Sequence, residues 1–302
     1  MGFRIFADMK KQLPETLTLE VREPNTLLPF LFASFSDRSK TTVKSYLAHR
    51  QVVVNGCITT QFDTPLSVGD RVEVSFGRAR AGLSNPMLRI VYEDDDLIVV
   101  EKRNGLLSVA TDKQIMRTAY SILSEYVKES DGRNKIFVVH RLDRETSGLM
   151  VFAKSEAVKL KMQRNWEETV VERKYYAVVE GLIEQESGMI STYLTESRAM
   201  KVYVTQREEG KIAHTGFRVL KRSVRNHVTL LELELATGRK NQIRAHMEYI
   251  GHPIIGDKKY GSRRGLIGRV ALHAGVLSFI HPVSGVRHDF STPVPRKFLE
   301  LF

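Results

Sequence analysis

An aspartate flanked by arginines stands on a short polar segment between two apolar runs. The segment reads HRLDRETSG, with Arg141 and Arg144 on either side of Asp143. The apolar residues 136–139 and 149–153 have the length and the β-branched or aromatic content of buried strands. A connection between two such strands is a common place for a catalytic carboxylate, which could act as a nucleophile. An aspartate between arginines is also a common structural ion pair, and the spacing alone leaves both interpretations open.

The longer string HRLDRETSGLMVFAK resembles the catalytic motif of the RluA-type pseudouridine synthases. In that family the aspartate is essential, so the resemblance implies that Asp143 is the nucleophile. The reaction breaks the bond between a uracil nitrogen and the ribose, rotates the base and rejoins it through a carbon. As a carboxylate, Asp143 could add to carbon six of uracil or attack the anomeric carbon of the ribose, and the sequence leaves both routes open.

This isomerisation imports no group and moves no electrons to or from a carrier, so it needs neither a metal nor an organic cofactor. The sequence contains no Walker loop, no dinucleotide-binding glycine motif and no HExxH string. His246 and His252 supply two possible metal ligands without an evident third. We therefore predict no cofactor and no metal site.

A second matching string, TGRKNQIRAHM, supplies a partner for the aspartate. In the family the later arginine of this motif pairs with the catalytic aspartate, which implies that role for Arg244. Bidentate pairing with a guanidinium keeps a desolvated carboxylate ionised. The family usually has Thr-His where this chain has Lys240 and Asn241, and commonly has proline where it has Arg103, so no role is transferred to these three positions.

A third matching string, RKYYAVVEG, supplies an aromatic side chain. The family carries Lys-x-Tyr at this place, and counting from Lys174 selects Tyr176 over Tyr175. Strand alternation sends the two rings to opposite faces. The resemblance implies that Tyr176 lies against the flipped uracil. We predict stacking rather than base catalysis, because a phenol with a pKa near ~10 is a poor base at pH 7.

Basic residues near these motifs are the predicted RNA contacts. The chain has 46 Lys+Arg against 35 Asp+Glu, a formal net charge of +11 and a pI near 9.7. This excess favours a polyanionic partner, although a basic protein without a nucleic-acid partner stays an alternative on charge alone. The resemblance implies that Arg141 enters the RNA helix and fills the space left by the flipped base. Arg144 and Arg239 are further predicted RNA contacts.

The composition along the chain predicts four segments. We assign an N-terminal extension to residues 1–16, a small RNA-binding module to 17–77, a linker to 78–87 and the catalytic domain to 88–302. The linker is rich in glycine, arginine and small residues (GRARAGLSNP). In the catalytic domain strands outnumber helices, one of which is predicted over residues 156–168. The connections are short, which predicts an α+β fold with a mixed, mainly antiparallel sheet.

The strings RSKTTVKSYLAHRQVVVNG and VGDRVEV resemble the small α/β RNA-binding module named after a small-subunit ribosomal protein. They predict two short helices, a hairpin turn at Asn55-Gly56 and a closing strand. Basic side chains around the second helix would face phosphates, and a merely solvated helix face is the alternative. These side chains are Arg38, Lys40, Lys44 and Arg50.

The single cysteine, Cys57, excludes an internal disulfide. The chain shows no signal-peptide pattern and no apolar run of the ~18 residues that a membrane span needs. We therefore expect a cytoplasmic monomer without a membrane partner, acting on RNA. Large-subunit ribosomal RNA is the favoured substrate and transfer RNA the alternative.

Two rival interpretations come from other functional classes. A non-catalytic RNA-binding or ribosome-assembly factor could use the same fold, but the residues matching the family's catalytic positions are all present. An aspartate can also serve as a nucleophile in phosphoryl transfer, but that chemistry requires carboxylates around Mg²⁺. In this chain arginines bracket the aspartate instead.

Overall fold

The computed structural model describes residues 16–48, 51–76, 83–110, 117–130, 132–206 and 209–302. Arg50, nearly all of the predicted N-terminal extension and half of the predicted linker lie outside the described residues. The chain divides into two compact units. The first comprises Met1–Ser84 and Tyr92–Asp94, and the second comprises Asn85–Val91 and Asp95–Phe302.

The first unit combines short strands with two helices. Its elements are β1 (Thr16–Glu20), β2 (Asn25–Thr26), α1 (Leu27–Ser34), α2 (Lys40–Ala48), β3 (Val52–Val54), β4 (Cys57–Ile58), β5 (Pro65–Leu66) and β6 (Arg71–Ser75). The sheet has the order β1-β6-β3-β4, and its described pairings are antiparallel. The hairpin predicted at Asn55-Gly56 joins β3 to β4, and both turn residues have positive φ, as such a turn requires.

The second unit is built on one large sheet. Its strands are β7 (Leu88–Glu93), β8 (Leu97–Lys102), β9 (Phe137–Val138), β10 (Ser147–Ala153), β11 (Val170–Glu180), β12 (Ser187–Glu196), β13 (Val202–Thr205), β14 (Lys211–Ser223), β15 (Val228–Leu235), β16 (Leu272–Ile280) and β17 (Arg287–Ser291). Its helices are α3 (Ala119–Ser130), α4 (Glu156–Arg164), α5 (Trp166–Thr169), α6 (Gln242–Tyr249) and α7 (Arg296–Leu299), with a short 3₁₀ turn at Lys258–Tyr260.

The sheet runs in the order β13-β12-β14-β15-β11-β16-β10-β8-β7, with β17 on β16 and β9 on β10. The described pairings are antiparallel except for β10 with β16, which is parallel. This confirms the predicted α+β class with a mixed, mainly antiparallel sheet. Every residue of β10 is buried, as its unbroken apolar sequence predicts for a strand in the middle of a sheet.

The core of this unit lies where β11, β15 and β16 meet α6 and the C-terminal α7. Its buried members include Val178, Leu231, Met247, Ile255 and Phe298. Val178 of β11 and Met247 of α6 belong to this core, whereas Tyr175 of β11 and Arg244 of α6 line the cavity described below. Among the described helices, none combines the length and apolar character needed to cross a lipid bilayer.

Two predicted elements differ in extent from the observed ones. The helix predicted over 156–168 ends at Arg164, because Asn165 leaves helical geometry (φ −110°, ψ 37°), and α5 follows as a separate turn. The strand predicted over 136–139 is only two residues long, Phe137–Val138. The carbonyl groups of Val138 and Val139 accept hydrogen bonds from the side chain of Gln163 instead of continuing a strand.

Candidate active site

Hydrogen bonds on both sides fix the backbone around Asp143. The hydroxyl of Ser108 donates to the carbonyl of Leu142 (2.6 Å) and accepts from its N–H (3.2 Å). The carbonyl of Arg144 accepts from the N–H of Gly105 at 2.8 Å. The carbonyl of Asp143 closes a turn by accepting from the N–H of Thr146 at 3.1 Å. The carboxylate is therefore held on a rigid loop at the start of β10.

Lys102, at the end of β8, is fully buried beneath this loop. Its Nζ donates to the carbonyl oxygens of Arg103 (3.1 Å), Leu106 (2.9 Å) and Arg144 (3.3 Å). Burial lowers the pKa of Lys102 to about 7, and the nearby charge of Asp143 acts in the opposite direction. Three acceptors match the three hydrogens of an ammonium group, so we assign the charged form. Lys102 thus ties two loops together and adds a positive charge near Asp143.

Arg244 lies on α6 and reaches both Asp143 and a second carboxylate. Its Nη1 lies 3.8 Å from Oδ2 of Asp143. Its Nε and Nη2 donate to Asp257 at 2.6 and 2.8 Å, a bidentate pair in which the Asp257 side chain is 1% exposed. Nη1 also donates to Oδ1 of Asn241 at 3.1 Å. Asp257 therefore fixes the guanidinium, and one edge remains directed at Asp143.

The electrostatics of this pair follow from burial and from the two carboxylates. Burial raises the pKa of Asp143 above its ordinary value; the charges of Arg244, Arg141 and Lys102 oppose this effect, and Asp257 adds to it. For Arg244, burial favours the neutral form, but the hydrogen bonds and charge of Asp257 outweigh it, so its pKa lies above the ordinary value. The guanidinium is permanently charged. The nearby positive charges offset only part of the effect of burial on the Asp143 carboxylate.

The structure corrects the choice between the two tyrosines. Tyr175 lines the cavity with Asp143, whereas Tyr176 lies on the opposite face of β11 against Gly275, among the charges of Glu232, Lys174 and Arg218. The register of the motif explains the error. Arg173, not Lys174, shares the cavity face, and counting from Arg173 selects Tyr175. Burial raises the pKa of the Tyr175 phenol, so it stays protonated at neutral pH.

The loop before α6 forms another wall of the cavity, and Gln242 organises it. The buried Gln242 amide accepts from the hydroxyl of Thr237 (2.8 Å) and the N–H of Arg239 (3.0 Å). It donates to the carbonyl of His214 and the hydroxyl of Thr215, both at 2.9 Å. Both polar atoms of the amide are therefore bonded, which fixes this loop on the lining of the cavity.

Asp143, Tyr175 and Arg244 line one cavity of about 690 Å³. Arg141 and Arg239 lie on the same lining with exposed side chains, and Nε of Arg239 donates to the carbonyl of Ile212 at 3.0 Å. Arg144 is not on the lining, and its Nε donates to the carbonyl of Gly105 at 3.1 Å. The structure therefore brings all but two of the residues predicted for the second unit, Tyr176 and Arg144, to one cavity.

In the first unit the predicted RNA contacts have different surroundings. The guanidinium of Arg38 lies 4.5 Å from the ring centre of Phe76, beside Phe35, and donates to the hydroxyl of Tyr46. Arg38 thus packs with the aromatic side chains of this unit and is not a freely solvated cation. Lys40 and Lys44 are exposed on α2. Arg50 lies outside the described residues.

The two histidines considered as possible metal ligands are held in hydrogen bonds. His246 lies between the hydroxyl groups of Thr192 (3.0 Å) and Thr215 (2.8 Å), and burial lowers its pKa to about 4. Nδ1 of His252 lies 2.8 Å from the carbonyl of Glu180. Within the described residues, no group of three or more His, Cys, Asp or Glu side chains is arranged to hold a metal ion.

Sequence reasoning missed Asp257, Lys102 and Gln242. Gln242 lies in the matching string TGRKNQIRAHM, Lys102 precedes Arg103, where the family commonly has proline, and Asp257 ends the string HPIIGD. Nothing local reveals the partner of any of the three. The available signal was a polar side chain in a segment expected to be buried. Such a side chain requires a partner, but the sequence does not say which residue that partner is.

The chain that carries this cavity has known relatives. Residues 96–249 match the family model of the RNA pseudouridylate synthases. An uncharacterized RNA pseudouridine synthase of Bacillus subtilis is 37% identical over 279 residues, which cover 90% of this chain and 91% of that protein. Ribosomal large subunit pseudouridine synthase D of Vibrio cholerae is 33% identical and matches 88% of this chain and 87% of its own length.

A structural comparison agrees at the level of the fold. The solved structure of human RNA pseudouridylate synthase domain containing 4 superposes with a TM-score of 0.57 at 23% identity, over 70% of this chain and 90% of that chain. The chain therefore belongs to the RNA pseudouridylate synthase family. It is an isomerase that acts on RNA.

Proposed function

We propose that this enzyme isomerises a specific uridine of large-subunit ribosomal RNA, with Asp143 as the nucleophile and the target base flipped into the cavity. The observation that carries the proposal is the rigidly held Asp143 carboxylate in a cavity shared with Arg244 (3.8 Å) and Tyr175. A base inside a helix cannot reach such a carboxylate, so it must leave the stack. The named ribosomal relative at 33% identity favours ribosomal RNA as the substrate.

Each residue has a task in this scheme. The ionised Asp143 forms a covalent bond to the anomeric carbon of the ribose or to carbon six of uracil, and the bond between the uracil nitrogen and the ribose breaks. After the base has rotated, its carbon five bonds to the anomeric carbon and the bond to Asp143 breaks. Carbon five then loses its proton to solvent, and the released ring nitrogen takes one up. Arg244 keeps the carboxylate ionised and oriented. The protonated Tyr175 ring stacks on the uracil. Exposed Arg141 and Arg239 contact RNA at the mouth of the cavity, and Arg141 fills the space that the base leaves.

The first unit supplies affinity for the RNA backbone. Lys40 and Lys44 are exposed on α2 and are suited to phosphate contacts. Arg38 contributes by stabilising the aromatic side chains on which α2 packs. We expect an enzyme of ribosomal RNA to work in the cytoplasm.

The experiment is to map pseudouridines across all RNAs in a strain without this gene. We expect the loss of one or a few sites in large-subunit ribosomal RNA and their return with the wild-type gene but not with Asp143→Asn. This variant preserves shape and removes the charge. With purified protein we expect its RNA affinity to stay within a few fold, while turnover falls far below a tenth of the wild-type value.

Sites lost only from transfer RNA would overturn the ribosomal substrate. Unchanged pseudouridines in all RNAs would favour a non-catalytic role in assembly. Retention of more than about a tenth of wild-type turnover by Asp143→Asn would show that Asp143 is not the nucleophile.

A further inference from the structure

The cavity extends beyond the residues that would surround one uracil. Its volume is about 690 Å³, and cavities of about 300–1,000 Å³ hold entire drug-sized molecules. One part is lined by Asp143, Tyr175 and Arg244. The remainder is lined by Gln163, Trp166, Arg173 and other side chains to which the proposed reaction gives no task.

Trp166 is the only tryptophan of the chain, and it is half-buried on this lining. Neighbours hold its indole ring in place. The guanidinium carbon of Arg173 lies 5.5 Å from the ring centre, and the ring of His140 lies 5.3 Å away at a tilt of 47°. Burial lowers the pKa of His140 to about 3, so this neighbour is neutral. A rigid aromatic surface with one cation beside it is thus directed at the cavity.

The position of Arg173 fixes the spacing between the two parts of the cavity. Arg173 and Tyr175 lie two residues apart on β11, on the same face, which corresponds to about 7 Å. Nη2 of Arg173 donates to the carbonyl of Leu235 at 3.0 Å. Gly238 permits this approach, since a Cβ at that position would lie 3.0 Å from Nη1 of Arg173. The Arg173–Trp166 pair is therefore fixed roughly one extended nucleotide away from Tyr175.

We propose that Trp166, supported by Arg173, is a second base-binding site that stacks an unpaired base of the nucleotide next to the target uridine. Tryptophan and arginine planes are the surfaces on which proteins stack single-stranded bases. Stacking tolerates all four bases but favours the larger purine rings. The inference rests on the proposed function, because it assumes that the target uridine occupies the part of the cavity next to Asp143.

The lone tryptophan provides a direct readout, because indole fluorescence reports stacking on this ring alone. The probe is an RNA stem-loop containing the mapped uridine, made intact and with an abasic nucleotide at one flanking position at a time. We expect the intact RNA to quench the fluorescence of wild-type protein and of Asp143→Asn alike. One abasic substitution next to the uridine should abolish the quenching and raise Kd about five- to 150-fold, the range for removing one stacked base.

Protein variants complete a double-mutant cycle. Trp166→Ala should raise Kd for the intact RNA by the same factor. For this variant, the critical abasic substitution should leave Kd unchanged. Trp166→Phe keeps a ring and should stay within a few fold of wild type. The abasic arm uses unaltered protein, so the test remains valid even if Trp166→Ala folds poorly.

Two outcomes would overturn the inference alone: isomerisation and binding of the intact RNA without fluorescence quenching, or effects of Trp166→Ala and the abasic substitution that add. Failure of wild-type enzyme to isomerise the intact stem-loop would instead overturn the proposed function, and the second site with it.

Discussion

Arg244 serves two carboxylates in very different ways. Asp257 is buried and binds two guanidinium nitrogens at 2.6 and 2.8 Å, whereas Asp143 lies 3.8 Å from the third and keeps a 27% exposed side chain. Burial raises the pKa of Asp143, the charge of Arg244 opposes this effect, and the charge of Asp257 adds to it. An arginine paired with Asp143 alone would lower that pKa further. We regard Asp257 as a positioning residue that acts through Arg244.

This arrangement predicts the pH dependence of Asp257→Asn. The negative charge of Asp257 raises the pKa of Asp143, so removing that charge lowers the pKa. Asp143 must be ionised to react, so the acid limb of the single-turnover rate should move to lower pH. The plateau rate should fall about ten- to hundredfold, because Arg244 loses its fixed geometry.

The matched control is Asp289→Asn, the same change at an exposed aspartate paired with Arg287. It should leave the profile unchanged. An acid limb that stays in place or moves to higher pH in Asp257→Asn would contradict the assigned coupling.

The two adjacent tyrosines provide a second test. Tyr175 faces the cavity and Tyr176 faces Gly275, so only Tyr175 can stack on the base. Tyr175→Leu should lower kcat/KM about five- to 150-fold, the cost of removing an aromatic ring from a stacked base. Tyr176→Leu should stay within a few fold when assayed well below its unfolding temperature. A larger decrease for Tyr176→Leu than for Tyr175→Leu would reverse the assignment.

At the scale of elements, the parallel pairing of β10 with β16 places Asp143 in the sheet. Ser147 and Gly148 pair with His273 and Ala274. Ser147 also lies in a buried chain of hydrogen bonds, at 2.8 Å from His273 and 2.7 Å from Nη2 of Arg269. The start of β10 is thus fixed by bonds to a strand far along the chain, and the loop that carries Asp143 precedes it directly.

Gly148 is the point of closest approach in this pairing. It has φ +117°, and a Cβ there would lie 2.1 Å from the carbonyl oxygen of Ala274. Both the backbone strain and the overlap oppose a side chain, so Gly148→Ala should lower the free energy of unfolding by about 3 kcal/mol or more. Urea unfolding of the full chain measures this decrease.

Gly265→Ala is the control in the same unit, since a Cβ at Gly265 meets nothing within 4 Å. It should change the free energy of unfolding by less than about 1 kcal/mol. Equal stabilities of the two variants would show that the packing of β10 against β16 is looser than described.

At the scale of the whole molecule, the proposed function separates RNA affinity from chemistry. The exposed lysines of α2 belong to the first unit, and the lining of the cavity belongs entirely to the second. The excess of 46 Lys+Arg over 35 Asp+Glu then acts as a general attraction for RNA. Under the proposed function, specificity for one uridine would come from the shape of the cavity and from the bases stacked in it.

Salt dependence measures this separation in the full chain. Lys40→Gln with Lys44→Gln should weaken RNA binding and reduce the slope of log affinity against log salt by about 0.7–0.9 for each phosphate that the variant no longer neutralises. The rate at saturating RNA should stay near wild type. The same change at exposed Lys128 and Lys297 of the second unit is the control, and an equal slope change there would show that α2 has no special role.

Local sequence was enough to propose Asp143 and Arg244 as site residues, because the motifs that contain them are contiguous and resemble those of the family. The apolar run of β10 also revealed its own burial, since a strand covered on both faces has no polar alternation. The class of fold followed from counting such runs. These properties depend on neighbours along the chain, and the structure agrees with them.

Pairings between distant segments were decided only by the tertiary structure. Nothing near Asp257 indicates that it would hold Arg244, and nothing near Lys102 indicates that it would cap the carbonyl of Arg144. The choice between Tyr175 and Tyr176 depended on which face of β11 lines the cavity, a one-residue difference in register that reverses every side chain. Sequence determines which groups are present, and packing across the sheet determines which of them meet.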